Sequence, residues 1–83
     1  TITYNSADVL RPFLDCVWKQ THSNLVLYVI DNASGDDTLS ILEDEQDGRL
    51  KIIKNATNLG VAKANNQGIE KAILDECDQV LII

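Results

Sequence analysis

Leu25-Val26-Leu27-Tyr28-Val29-Ile30-Asp31-Asn32-Ala33-Ser34-Gly35-Asp36-Asp37-Thr38 joins an unbroken apolar run to an acidic, hydroxyl-rich turn. A continuous run of this kind reads as a strand covered on both faces, as in a parallel sheet. Asp36 or Ser34 stands where it can cap a following helix that carries Leu39, Ile41 and Leu42. A strand that turns directly into a helix is half of a β-α-β unit, and α/β folds gather ligand-binding groups at such turns. Asp31 is the first polar side chain after Leu25 to Ile30, so it is expected at the sheet rim, where a ligand sits.

The same alternation continues on both sides. Thr1-Ile2-Thr3-Tyr4 is β-branched and aromatic and reads as the end of a first strand. Val9, Leu10, Phe13, Leu14, Val17 and Trp18 form one buried stripe of a helix. Ser6 or Asp8 is a candidate cap for that helix. Pro12 lacks an amide hydrogen and fits a first turn, so regular helix is expected only from about Arg11. Gly48 ends the second helical segment. Leu50 to Lys54 is a third strand, charged enough to lie at or near a sheet edge. Asn55 to Gly60 is a polar loop; Val61, Ala64, Ile69, Ala72 and Ile73 mark a third helix, and Val80 to Ile83 a fourth strand. The order β-α-β-α-β-α-β places the chain in the α/β class, with a parallel sheet and right-handed crossovers.

Composition narrows the functions. A chain of 83 residues is one small domain, burying roughly 60–65% of its unfolded surface. Thr1 enters mid-strand and Ile83 ends on bare hydrophobics, so the chain is expected to be the N-terminal part of something larger. The net charge of -6 and the scattering of the seven basic residues argue against a nucleic-acid partner. No apolar run approaches the ~20 residues of a membrane span, and no secretory signal is visible. Cys16 and Cys77 stand far apart, without a CxxC or His neighbour. They are expected to be reduced, half-buried thiols of a cytoplasmic protein.

Three binding classes fail on their own motifs. A dinucleotide fold needs a glycine-rich turn after the first strand, and Asn5-Ser6-Ala7-Asp8 has none. A calcium loop starting at Asp31 would need Gly and Glu where the chain has Asp36 and Leu42. A phospho-acceptor receiver would need acids where the turns offer Asn5-Ser6 and Asn55-Ala56.

Four stretches fit together. Thr3-Tyr4-Asn5, Gln20-Thr21, Val29-Ile30-Asp31-Asn32-x-Ser34-x-Asp36-x-Thr38 and Asn58-Leu59-Gly60-x5-Asn66-x-Gly68-Ile69 occur in order across the chain. Together they resemble family 2 glycosyltransferases of the GT-A fold. Asp31-Asn32-Ala33-Ser34 is similar to the branch containing bacterial rhamnosyltransferases. The resemblance implies a Rossmann-like GT-A half domain: a sheet of about four strands in the order 3-2-1-4, flanked by three helices. Residues 1–83 would then be the nucleotide-sugar-binding part, ending before the metal-binding DxD motif.

What the resemblance implies for function is a nucleotide-sugar site made by Thr3, Tyr4, Asn5, Asp31, Asn58, Gly60 and Lys63. Tyr4 would stack on the base, and Asp31 would accept the imide N–H of uracil or thymine. Thr3 and Asn5 would hold base or ribose edges. Asn58, Gly60 and Lys63 would meet nucleotide groups at the start of the third helix. The parent would be an inverting enzyme of polysaccharide biosynthesis, using Mg²⁺ or Mn²⁺ and passing sugar from a UDP- or dTDP-sugar to a glycan or lipid-linked acceptor. Its location would be cytoplasmic, with any membrane association coming from other regions. No catalytic or metal-ligating residue falls within the 83, which are expected to be inactive alone. The competing reading is a non-catalytic nucleotide-binding or regulatory module. On structural grounds Asp36 and Thr38 are helix-capping residues, Asn66 and Gly68 serve helix–sheet packing, Trp18 is core, and Asp37, Glu43, Asp44, Glu45 and Asp47 form a solvated acidic face. His22, alone in a loop, receives no role.

Overall fold

Residues 1–19 and 25–77 are described by a computed structural model. Three strands, β1 (Ile2–Thr3), β2 (Leu27–Asn32) and β3 (Leu50–Asn55), alternate with three helices, α1 (Ala7–Trp18), α2 (Thr38–Asp44) and α3 (Val61–Leu74). The fold is α/β, as expected. All pairings are parallel, and β2 lies between β1 and β3. That is the 3-2-1 part of the expected order. The fourth strand, Gln20-Thr21 and His22 lie outside the described residues.

Alternation along β2 divides the core in two. Leu27 and Val29 face α1 and α2, where they meet Leu10, Leu14 and Leu42. Phe13, Val17, Trp18, Leu39, Ile41, Leu50 and Ile52 pack around this cluster. Ile30 faces the other way, towards α3. There Ala64, Gly68 and Ala72 recur every fourth residue, a stripe of small side chains that lets the helix lie close. A Cβ on Gly68 would stand 2.9 Å from Ile30 Cδ1. The chain therefore winds β1-α1-β2-α2-β3 on one side of the sheet and crosses to the other with α3.

Several boundaries differ from the sequence reading. β2 begins and ends two residues later than Leu25–Ile30, so Asp31 and Asn32 belong to the strand and pair with Lys54 and Asn55. Asn55 likewise ends β3 rather than opening a loop. α1 starts at Ala7, ahead of Arg11, and carries Pro12 in its interior. Its first turn is held from outside, by groups described below. α2 stops at Asp44, short of Gly48; the intervening turn closes with Asp47 Oδ1 accepting the Arg49 backbone N–H at 2.9 Å. Cys16 is exposed rather than half-buried, because it lies on the outer side of α1; Cys77 is partly buried, and the described residues form no disulfide.

Two aromatic side chains anchor the periphery. Trp18 packs on the α1–α2 core with the Arg49 guanidinium 4.6 Å above its ring. On the α3 side, Tyr28 donates its hydroxyl to Asp75 Oδ2 at 2.6 Å, and Lys51 and Lys71 reach the same carboxylate at 2.9 and 3.4 Å. Asp75 thereby ties the end of α3 to β2 and β3.

Leu42 is fully buried and Ile73 is 65% exposed. Leu42→Ala is expected to cost about 2–5 kcal/mol in urea unfolding, and Ile73→Ala less than about 0.5 kcal/mol. The Tyr28 hydroxyl, with the lysines, lowers the Asp75 carboxyl from its ordinary 3.8 to about 2. The ionised form is favoured in the fold, so its contribution is complete above about pH 4 and disappears as pH falls towards 2. Melting temperature measured across that window is expected to fall less steeply in Asp75→Asn than in the native protein.

Candidate functional site

The parallel register sets two rows of polar side chains at the carboxyl edge of the sheet. Thr3, Asp31 and Lys54 are aligned on the α1–α2 side, and Asn32 and Asn55 on the α3 side. Each row is the starting point of a hydrogen-bond network.

Asp31 centres the first. Its Oδ1 accepts the Thr3 hydroxyl at 2.8 Å and the Ser34 hydroxyl at 2.6 Å, and its Oδ2 accepts the Ser34 N–H at 3.1 Å. Ser34 Oγ accepts the Asn5 N–H at 3.0 Å, and Asn5 Oδ1 accepts the Gly35 N–H at 2.7 Å. The turn that allows Ser34 to double back on Asp31 places Ala33 at φ 62°. Left-handed backbone at a residue with a Cβ is held only by its surroundings, here the paired Ser34 contacts. Asn5 has φ 49°, a conformation its short amide tolerates.

Asp36 continues the stitching. Its Oδ2 accepts the Ala7 N–H at 3.2 Å and its Oδ1 the Thr38 N–H at 3.0 Å as well as the Thr38 hydroxyl. Thr38 Oγ1 in turn accepts the Ser6 N–H at 2.8 Å. One carboxylate thus serves the first turns of both α1 and α2. The Thr38 hydroxyl, ahead of the backbone N–H groups, holds the Asp36 carboxyl below its ordinary value. For α2 the reading named Asp36 or Ser34, yet the N-cap is Asp37, without a capping side-chain bond; Asp36, one residue earlier, accepts the Thr38 N–H, and Ser34 turns to Asp31. For α1 the reading named Ser6 or Asp8, yet Ser6 is the N-cap without a capping side-chain bond; its Oγ donates to the Tyr4 carbonyl instead.

The second network starts at Asn32, which is 2% exposed. Its Nδ2 donates to the Gly60 carbonyl at 3.3 Å, and its Oδ1 accepts from Asn55 Nδ2 at 2.9 Å. Asn55 and Gln67 form a reciprocal amide pair at 2.8 and 2.9 Å. Gly60 has φ 83° and ψ 170°, backbone open almost only to glycine, and it opens α3. Asn58 Oδ1 accepts the Gly60 N–H at 2.9 Å.

Of the seven sequence-derived site residues, Thr3, Asn5 and Asp31 share the first network. Tyr4 sits on the same loop with 52% exposure, its ring available for a planar partner. Asn58 and Gly60 form the turn before α3, and Lys63 is exposed in the first turn of that helix. Asp31 differs from the expectation of an open rim residue. It is 2% exposed, because Ser34 folds over it. With Ser34 N–H its donor among the described residues, Oδ2 keeps one lone pair uncommitted. Sequence reasoning missed Ser34, Asn55 and Gln67 and gave Asn32 no role. The spacing Asp-x-x-Ser carries the signal of an Asx-type turn for Ser34, whereas nothing local marks Asn55 and Gln67 as partners. The described residues bring together no group of three His, Cys, Asp or Glu able to hold a metal ion. No helix among them is long and apolar enough to cross a membrane.

The profile of glycosyl transferase family 2 matches residues 1–82. Among curated relatives, a Haemophilus influenzae protein named an uncharacterized glycosyltransferase is 38% identical over 80% of this chain and 21% of its own length. The Escherichia coli UDP-Glc:alpha-D-GlcNAc-diphosphoundecaprenol beta-1,3-glucosyltransferase WfaP is 32% identical over 83% of this chain and 28% of its own. The putative teichuronic acid biosynthesis glycosyltransferase TuaG of Bacillus subtilis is 30% identical over 87% and 29%. The chain thus spans less than a third of the length of these relatives. No solved structure matches significantly.

Thr38 is fully buried and its hydroxyl both accepts from Ser6 and donates to Asp36. Thr38→Val keeps the volume and strands the Ser6 amide, so it is expected to cost about 1–3 kcal/mol in denaturant unfolding. Hydrogen exchange at Ser6 and Ala7 should accelerate in the same variant.

Proposed function

The chain belongs to glycosyl transferase family 2, and on that premise we propose that its protein transfers a sugar from a UDP- or dTDP-sugar to a glycan or lipid-linked acceptor. The observation that carries this is the Asp31 network: an acceptor-only carboxylate at the carboxyl edge of a parallel sheet, beside the exposed ring of Tyr4. Uracil and thymine present an N3–H donor to the uncommitted lone pair of Asp31, while cytosine presents a lone pair and is repelled. Asp31 is covered, so a base reaching it displaces part of the Ser34 turn. Thr3 and Asn5 then contribute polar edges next to the base, and the Asn58–Lys63 arm supplies N–H groups and an ammonium nearer the diphosphate.

The finer reading rests on likeness. The donor and the undecaprenol-linked acceptor named for WfaP support UDP-glucose-type donors and lipid-linked glycans as the substrate classes, and the name of TuaG supports a role in cell-surface polysaccharide synthesis. Asp31-Asn32-Ala33-Ser34 favours the rhamnosyltransferase-like branch, with a dTDP-sugar. In the inverting GT-A chemistry proposed here, an acceptor hydroxyl attacks the anomeric carbon opposite the diphosphate. The bond to diphosphate breaks and the hydroxyl proton leaves to a base. The Mg²⁺ or Mn²⁺ that the family likeness implies has no ligand set among the described residues. The proposed setting is the cytoplasmic side, where nucleotide sugars are available.

Titration calorimetry of UDP, dTDP and CDP tests the assignment in the whole protein. Asp31→Ala is expected to weaken UDP or dTDP binding by about ten- to a hundredfold. Asp31→Asn narrows the margin over CDP, because an amide also donates. Ser34→Ala, which keeps the carboxylate, preserves that margin. Unchanged UDP and dTDP affinity in folded Asp31→Ala would make Asp31 a turn residue only and would favour a module without donor binding.

A further inference from the structure

The amides of Asn32, Asn55 and Gln67 form a chain with a fixed direction. The Gly60 carbonyl can only accept, so Asn32 must turn its NH₂ towards it. Asn32 Oδ1 then faces β3 and requires a donor, which Asn55 Nδ2 provides at 2.9 Å. The second hydrogen of Asn55 Nδ2 goes to Gln67 Oε1 at 2.8 Å, and Gln67 Nε2 returns a hydrogen bond to Asn55 Oδ1 at 2.9 Å. Every amide in the chain has one orientation that satisfies its neighbours, and reversing any of them sets like against like. Gln67 stands two turns into α3, on the side facing the sheet, so the chain runs from the body of the helix through both strand ends to the turn at which the helix begins.

We propose that Asn55 and Gln67 are positioning residues for the nucleotide: by orienting Asn32, they hold the Gly60 turn, and with it Asn58 and Lys63, at a fixed place beside Asp31. This rests on the donor site proposed above and adds what sets its geometry. Gly60, at φ 83°, gains no support from a side chain of its own, and the turn it makes is exposed. Asn32 is the buried contact that fastens its carbonyl to the sheet. The two sides of the sheet then have separate duties. Asp31 selects the base, and the amide chain places the arm that meets the rest of the nucleotide.

The test is calorimetric binding of UDP and CDP to the whole protein, at a temperature where every variant is folded. Asn55→Asp removes the hydrogens given to both Asn32 and Gln67, and should weaken UDP binding about tenfold while leaving the ratio of UDP to CDP affinity as it was. Gln67→Glu still accepts from Asn55 Nδ2 but loses the hydrogen given to Asn55 Oδ1 and sets a second oxygen against it, so UDP affinity should fall without a change in the UDP to CDP ratio. Gln67→Leu ends the chain without adding charge and should weaken UDP binding with the UDP to CDP ratio unchanged; this variant carries the test where Asn55→Asp does not fold. Native UDP affinity in Asn55→Asp and Gln67→Leu, with loss in Asp31→Ala, would overturn the positioning role and leave the donor site standing. A change in the UDP to CDP ratio in Asn55→Asp would also overturn it, since the amides would then act on the base. Native affinity in Asp31→Ala as well, or no binding of UDP by the native protein, would remove the donor site itself.

Discussion

A helix begins with amide groups that have no partner within it, and in this fold those of α1 are satisfied from another part of the chain. Ser6 and Ala7 give their N–H groups to Thr38 Oγ1 and Asp36 Oδ2, residues some thirty positions away in the sequence. The same two side chains secure the start of α2. Each helix start therefore depends on the other, and the loops after β1 and β2 are fixed only as a pair. Tertiary contact supplies what local sequence does not: Pro12 interrupts the hydrogen bonding of α1, and the first turn stands ahead of it because its amides are held across the loop.

This pairing gives the carboxyl edge of the sheet its chemistry. A carboxylate such as Asp31 could not be covered without donors, and Thr3 at the end of β1 and Ser34 in the turn after β2 bring three to it. On the opposite side, neutral amides do the corresponding work and satisfy one another. One side concentrates negative charge while the other remains uncharged, although both rows end at the same rim. The small stripe Ala64, Gly68 and Ala72 makes this possible by letting α3 come near enough for Gln67 to reach Asn55.

The alternation of strands and helices was legible because each element carries its own period: the apolar run of β2, the stripe of α1, the apolar positions of α3, although Val9, Val61 and Ile73, counted in those stripes, face solvent. The family resemblance groups Thr3, Asn5 and Asp31, and the parallel register brings the ends of β1 and β2 together. The exposure of Asp31 could not be read. It follows from Ser34 folding back through a left-handed Ala33, a conformation that the residue type disfavours. The extension of β2 to Asn32 escaped for a related reason. Asp and Asn are poor strand formers by composition, and only the paired register with Lys54 and Asn55 holds them there. The Asn55–Gln67 pair joins residues twelve apart with no periodic signature.

Trp18 has a further consequence. It is the one tryptophan of the chain, lodged between α1 and the turn that enters β3, with a guanidinium over its ring and its indole nitrogen buried without an acceptor among the described residues. A cation at 4.6 Å and an unshared N–H make its emission sensitive to small displacements of either element. The chain thus contains its own optical gauge for the seating of α1, placed at the far end of that helix from the loops after β1 and β2.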